Sequence, residues 1–438
     1  MIKKVLLSLC LIYSFALKSQ NADLRISELI NKCDWFALDK EYPILKDSLE
    51  NPVYRSISEA LLGLRFNRQQ VAITALDTLL HRYQSELGLA NTISSSTLAL
   101  YAYGDQGRYA EAADTFQRYL TQLSPNMTID DIIFFKSKIR LNNSLRNENR
   151  PEVVKSSKDI KIPFQFVSMN MYDEVVGNYI IIPISIHGKI YRFMYDTGAV
   201  VTTIPDRVAN EIGIKTLVDS IQVNGVKESF GHEVGVLDSF SIGDINCRNF
   251  QFLIDNTKVG PDSIFFNQID GILGLNVIKR LGEMQFLTKE KLILIPEKQT
   301  EAPFTGRNMM ITLCENTVLI RAFSEEKPLM LKFDSGTNET SLSDKYFLSN
   351  KSWIELNCKI EDSMDYGLGG IFDHKSYRLP SLPLVVGSLS LNLQNVQVDT
   401  SQKANEHSEM DGTIGNDCFK PFSRVIVNFD KMFIEFEI

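Results

Sequence analysis

Phe193-Met194-Tyr195-Asp196-Thr197-Gly198 returns, at an offset of 138, as Leu331-Lys332-Phe333-Asp334-Ser335-Gly336. In each version a largely apolar, strand-like run ends on Asp, a hydroxyl residue and Gly. A second phrase, Asp270-Gly271-Ile272-Leu273-Gly274, returns at an offset of 141 as Asp411-Gly412-Thr413-Ile414-Gly415. The spacing from Asp196 to Asp270 is 74, and that from Asp334 to Asp411 is 77. Each second phrase is followed by a strand-like ending, Lys291-Leu292-Ile293-Leu294-Ile295 and Met432-Phe433-Ile434-Glu435-Phe436. Two elements repeated in order at nearly equal spacing imply two copies of one lobe. Asp-[Thr/Ser]-Gly occurs nowhere else in the chain, and chance supplies on the order of 0.1–0.2 such tripeptides in a chain of this length.

The residues around these phrases read as strands. Tyr179 to Ile186 is rich in β-branched residues, His187-Gly188 is a hairpin signal, and Lys189 to Tyr195 supplies the return strand. Short apolar runs broken by Gly, Asn and Asp continue to Ile438. We expect an all-β, bilobal domain, with lobe 1 over 178–300 and lobe 2 over 301–438. Asn147 to Asp159 is polar, so 151–177 is expected to hold a linker and a first strand. Upstream, 21–150 has the apolar spacing of helices, as in Leu24, Ile26, Leu29 and Ile30. Gly107-Arg108-Tyr109-Ala110-Glu111-Ala112, with Phe116, Leu120 and Pro125, resembles the second half of a tetratricopeptide repeat. Asn67 to Leu80 looks like a weaker copy and Asp34 to Leu49 a weaker one still. An ordinary helical bundle fits this region as well, and either serves packing or a protein partner.

Residues 1–20 have a basic start (Lys3, Lys4), an apolar run from Val5 to Leu17 and a polar exit, Lys18-Ser19-Gln20. That is the pattern of a secretory signal peptide, and the run is too short to span a bilayer. Removing it, with its three lysines, would take the net charge from −8 to −11. The expected location is therefore exported, periplasmic or secreted, with no transmembrane segment in the mature chain. Cys10 sits in mid-run without the small residue before it that lipidation needs. The other five cysteines show no C-x-x-C spacing, and buried thiols are the simplest reading, with a disulfide allowed by an oxidising compartment. An acidic chain with no basic block argues against nucleic acid.

On the two Asp-hydroxyl-Gly phrases, each followed by Asp-Gly-x-apolar-Gly, residues from about Tyr179 to Ile438 resemble the aspartic peptidases. Asp196-Thr197-Gly198-Ala199 looks like the retropepsin form. The two-lobe single chain is similar to pepsin, while each short lobe is nearer a retroviral subunit. The chemistry explains the residue types. Two carboxyls a few Å apart cannot both ionise comfortably, so they share a proton. The ionised one can take a proton from water while the protonated one donates to a peptide carbonyl.

The resemblance implies Asp196 and Asp334 as the catalytic pair, an extended polypeptide as substrate, and neither cofactor nor metal. It implies that Thr197 and Ser335 bond across the lobe interface, and that Gly274 and Gly415 belong to an element crossing beneath each active loop. Gly198 and Gly336 are expected to let the loops turn tightly and bring N–H groups toward the carboxylates. Thr337 supplies the hydroxyl that pepsin-like chains carry after the Gly, whereas Ala199 does not, so a Thr337 bond to Asp334 is expected to bias the shared proton toward Asp196. Val223 to Val234 and Tyr366 to His374 sit where hairpin flaps would, with Tyr366 the candidate flap tyrosine. The five histidines show no ligand spacing. Asp365 to Gly370 is glycine-rich but lacks the following helix of a phosphate loop. The competing reading of the lobes is a catalytically inactive peptide-binding or scaffold module.

Overall fold

The chain divides into two compact units, Met1–Arg150 with Ile311–Glu315, and Pro151–Met310 with Asn316–Ile438. The structure, a computed structural model, describes residues 21–171, 174–224, 229–257, 260–313, 316–367, 370–400 and 409–438. The leader read from residues 1–20 lies outside the described residues.

The first unit is helical: α1 (Asn21–Asn31), α2 (Trp35–Leu45), α3 (Pro52–Arg65), α4 (Gln69–Arg82), α5 (Gln84–Asp105), α6 (Tyr109–Leu123) and α7 (Ile129–Ser144). α5 breaks at Gly88, whose φ is +70°. Side-chain caps set several starts. Asp34 accepts from the Ala37 N–H at 3.1 Å, Asn51 from Val53 at 2.9 Å, and Thr128 with Asp131 forms a capping box. Three turns share one device. Cys33, Asn67 and Gly107 take left-handed φ values of 54°, 55° and 68°. The next N–H then reaches back along the chain, Asp34 to Leu29 O (3.0 Å), Arg68 to Gly63 O (2.7 Å) and Arg108 to Tyr103 O (2.9 Å). Ala72 and Ala112, at the same distance past the Asn67 and Gly107 turns, are buried. A Cβ on Gly63 would stand 2.7 Å from the Ala72 nitrogen, so α3 and α4 pack at close range. The result is a run of helical hairpins. Ile311–Glu315, expected in the second lobe, groups with this unit; within it, buried Arg65 donates to the Ile311 carbonyl at 3.3 Å.

The second unit begins with β1 (Glu152–Val154), β2 (Ile160–Pro163), β3 (Gln165–Met171), β4 (Glu174–Ile186), β5 (Lys189–Tyr195) and β6 (Thr203–Pro205). It continues through α8 (Asp206–Ile212), β7 (Thr216–Asn224), β8 (Ser229–Ile242), β9 (Ile245–Asp255), α9 (Pro261–Phe266), β10 (Gly271–Leu273) and α10 (Leu275–Ile278). Then come β11 (Glu283–Leu287), β12 (Leu292–Ile295), β13 (Met309–Ile311), β14 (Val318–Ser324), β15 (Lys327–Phe333) and β16 (Ser341–Leu342). The last elements are α11 (Asp344–Asn357), β17 (Lys359–Gly367), β18 (Gly370–Val386), β19 (Leu389–Asp399), β20 (Gly412–Ile414), β21 (Arg424–Asn428) and β22 (Phe433–Glu437). The stretch 151–177 is therefore more than a linker and one strand. It holds β1 to β3 and the start of β4. The strand signal in Ile160-Lys161-Ile162 is cut off by Pro163, too short to stand out from a polar surrounding.

Among the described residues three sheets result. The first lobe's strands run β1-β9-β6-β10-β5-β4-β8-β7 with β3 on β4, and the second lobe's run β13-β14-β15-β20-β16-β19-β18-β17. The third sheet, β2-β12-β11-β21-β22, takes strands from both halves of the repeat, with β11 and β21 antiparallel at its centre. Buried aromatic rings run between the two repeated phrases. Tyr195 packs on Phe286 (5.2 Å between centroids), Phe286 on Phe419 (5.0 Å) and Phe419 on Phe333 (6.0 Å). Tyr195 and Phe333 are the residues just before Asp196 and Asp334, so both loops rest on one continuous apolar base.

Candidate active site

β5 and β15 deliver the two acids. β10 lies parallel to β5, with Gly271 opposite Phe193 and Leu273 opposite Tyr195, and β20 lies parallel to β15 in the same way, with Leu331 opposite Gly412. The Asp196 N–H donates to Leu273 O, and the Asp334 N–H to Ile414 O, both at 3.1 Å. Asp270 and Asp411 fix these pairs from their far ends. Asp270 Oδ2 accepts from the Arg192 N–H and Asp411 Oδ2 from the Met330 N–H, each at 2.8 Å. A basic side chain from the helix after β6 or β16 joins each, Arg207 of α8 at 2.9 Å and Lys345 of α11 at 2.8 Å.

Beyond the strands the loops interlock. The Thr197 N–H donates to Ser335 Oγ at 3.0 Å and the Ser335 N–H to Thr197 Oγ1 at 3.0 Å. Each hydroxyl also donates to the backbone of the opposite lobe, Thr197 to Phe333 O (2.9 Å) and Ser335 to Tyr195 O (3.0 Å). Both side chains are buried, so no water competes for these bonds.

Gly198 and Gly336 donate their N–H groups to the Oδ1 atoms of Asp196 (2.7 Å) and Asp334 (3.0 Å). Neither has positive φ, so the tight-turn argument for glycine does not apply. The reason is space. A Cβ on Gly336 would stand 2.5 Å from both carboxylate oxygens of Asp196, and one on Gly198 would overlap the carboxyl of Asp334. Each acid occupies the place where the opposite loop's side chain would be, and the two carboxyls thereby face one another.

Gly274 and Gly415 lie under the loops. A Cβ on Gly274 would meet the Val201 carbonyl carbon at 2.5 Å, and one on Gly415 the Glu339 backbone at 2.7 Å. Their N–H groups donate to Thr202 Oγ1 and Thr340 Oγ1, both at 3.1 Å. Asn276 then accepts from Thr202 N and Oγ1 (both 2.9 Å), and Asp417 from Thr340 N (3.0 Å) and Oγ1 (2.8 Å). Sequence reasoning missed these four polar residues. Their signal was present, because Thr202 and Thr340, and likewise Asn276 and Asp417, are separated by the offsets of the two phrases.

The electrostatics are asymmetric. Burial, and then the nearby charge of Asp334, push the Asp196 carboxyl up to about 7, against the opposing pull of Lys332 and the two N–H donors from Gly198 and Ala199. Lys332 Nζ lies 2.6 Å from Asp334 Oδ2. The expected Thr337 hydroxyl bond to Asp334 is not made. Thr337 contributes backbone instead, donating its N–H to Asp334 O at 3.1 Å. The side chain on the acid is a lysine from the strand, two positions upstream and on the same face. Tyr179, buried beside the pair, has its phenol pushed up to about 12 by desolvation and by both acids.

The expected flaps fall on the β7/β8 and β17/β18 hairpins, but residues 225–228 and 368–369 and the Tyr366 side chain lie outside the described residues. The second hairpin carries a cluster that linear spacing did not reveal. Asp365, His374 and Asp399 bring ligand-type atoms within 4.8 Å of one another from three adjacent strands. His374 Nε2 lies 3.2 Å from Asp399 Oδ1, and the Gln397 amide donates to Asp399 at 3.0 Å. Cys247, Cys358 and Cys418 are free thiols, and Cys314 lies outside the described residues.

Residues 182–277 match the model of the family described as aspartyl protease. That segment contains Asp196-Thr197-Gly198 and Asp270 to Gly274, one full copy of the repeated pair of phrases. No curated protein matches the chain. The family match supports an aspartyl protease domain and, at that level, a peptidase hydrolase. No helix among the described residues is long and apolar enough to cross a membrane.

Proposed function

We propose that the protein is an aspartic endopeptidase in which Asp196 and Asp334 activate one water between them. The observation that carries this reading is the reciprocal seating of each carboxyl against the glycine of the other loop. A scaffold alone gives no reason to hold two acids, one buried and one half-buried, face to face, since their repulsion costs stability. In the cycle, Asp334 is the anion and Asp196 holds the shared proton. Asp334 takes a proton from water as its oxygen attacks the scissile carbonyl carbon, and Asp196 donates to the carbonyl oxygen. Asp334 then passes its proton to the amide nitrogen as the C–N bond breaks, and a hydroxyl of the collapsing gem-diol returns a proton to Asp196, so the pair again holds one. An extended substrate strand would be held by main-chain bonds in the cleft.

We further propose that residues 1–20 direct export to the periplasm or the exterior, and that the helical hairpins form a tetratricopeptide-like platform for a protein partner. The supports are the leader's pattern and the three equivalent turns. Cleavage of an unstructured polypeptide from acid to neutral pH, with and without pepstatin, tests the activity. Loss of turnover in Asp196→Asn and in Asp334→Asn supports it. Binding without turnover, indifferent to both substitutions, overturns it in favour of the inactive module.

A further inference from the structure

The two lobes differ most, next to the acids, at one position. Lys332 of β15 corresponds to Met194 of β5 in the repeat. Met194 is buried in an apolar cluster with Met169, Tyr179, Ile181 and Ile272. Lys332 instead turns its ammonium onto Asp334 Oδ2 at 2.6 Å, with side-chain exposures of 28% and 12%. Backbone donors alone would put the charge of the pair on the other acid. Asp196 Oδ1 receives two N–H groups, from Gly198 (2.7 Å) and Ala199 (3.2 Å), whereas Asp334 Oδ1 receives one, from Gly336 (3.0 Å). The backbone N–H groups offer only partial charges, whereas the Lys332 ammonium brings a full unit charge to 2.6 Å from one acid, so the ammonium outweighs the extra N–H.

We propose that Lys332 is the positioning residue of the pair: it fixes the negative charge on Asp334 and leaves the shared proton on Asp196. This deepens the peptidase reading and rests on it for the catalytic consequence. Its strand neighbours Leu319 and Thr413 carry no charge. Among the described residues, the other titratable groups that meet the pair are Tyr179 and Tyr195, both neutral because burial raises their phenols. Among the described residues Lys332 is thus the cation set against the acids, and replacing it removes their counter-charge.

The experiment compares the wild-type full chain with Lys332→Met, which copies the first lobe, Lys332→Gln and Lys332→Arg. The first readout is the pH profile of kcat/KM on an unstructured polypeptide. Loss of the ammonium removes a counter-charge from the singly ionised pair, so both limbs move to higher pH, the alkaline one by about one unit. Lys332→Arg keeps the charge and keeps the wild-type profile. The second readout needs no turnover. Thermal melts across acid to neutral pH should show Lys332→Met and Lys332→Gln less stable than wild type at neutral pH, with the deficit closing in acid as the carboxyls protonate. Unmoved limbs, or melts that stay parallel at every pH, overturn the assignment. If the wild type cleaves nothing, the peptidase reading fails by itself, and the melts still decide the role of Lys332.

Discussion

Gly336→Ala places one methyl group where the pair meets. Its Cβ would lie 2.5 Å from both oxygens of Asp196, while ordinary contact begins at 3.4 Å, so most of an ångström must be found. The loop cannot supply it cheaply. Ser335 is fully buried and held by bonds to Thr197 and Tyr195, and the Gly336 N–H is bonded to Asp334. The displacement therefore falls on the Asp196 carboxyl, which swings away from its partner. A misplacement of about 1 Å in a catalytic group costs on the order of 10² in rate. Overpacking costs roughly 1–3 kcal/mol of stability. There is no backbone penalty, because Gly336 does not use positive φ. The expected outcome is a folded variant, modestly lower in Tm, with kcat down about 10²-fold and KM nearly unchanged. Gly188→Ala is the control. Gly188 has φ +81° with nothing within 4 Å of its would-be Cβ, so it should lose about 1 kcal/mol of stability and no activity. Steady-state cleavage and thermal melts on both variants decide the matter. A Gly336→Ala enzyme within a few-fold of wild type would refute the idea that this glycine exists to make room for the opposite acid.

Two more outcomes follow from the same geometry. Thr197→Val removes the acceptor of the buried Ser335 N–H and the donor to Phe333 O, and should cost about 2–4 kcal/mol in denaturant titration; with Ser335→Ala added, the loss should be clearly less than the sum of the two singles, since they share one network. Asp196 has a raised pKa in the folded state, so its favourable contribution is complete below the ordinary carboxylate range and is lost as pH rises through about 7. Asp196→Asn should flatten that fall in melts from acid to just above neutral pH; identical wild-type and Asn slopes would contradict the shift.

The repeat made much of the β-rich unit readable. Its constraints are local: a strand, an acid, a hydroxyl and a glycine must follow in that order to build each loop, and the order survives in the linear chain. What escaped depends on contacts between distant positions. Lys332 looks like an ordinary exposed strand residue until the strand's alternation is combined with the place of Asp334. Thr202 with Asn276, and Thr340 with Asp417, matter only because Gly274 and Gly415 donate into the same spot. Asp365, His374 and Asp399 come from three strands, so their spacing carries no signal. In the helical unit Gly107 announced its turn, whereas Cys33 and Asn67 adopt the same left-handed conformation without glycine. Short edge strands such as β2 gain their stability from the sheet they join rather than from composition.

The five-stranded sheet has a consequence for biosynthesis. Its central neighbours, β11 and β21, begin at Glu283 and Arg424, so a nascent chain emerging from the ribosome exposes the bare hydrogen-bonding edge of β11 until the second lobe has been translated. The first lobe must wait with β11 paired to β12 on one side only, and its closure is timed by the arrival of its duplicate.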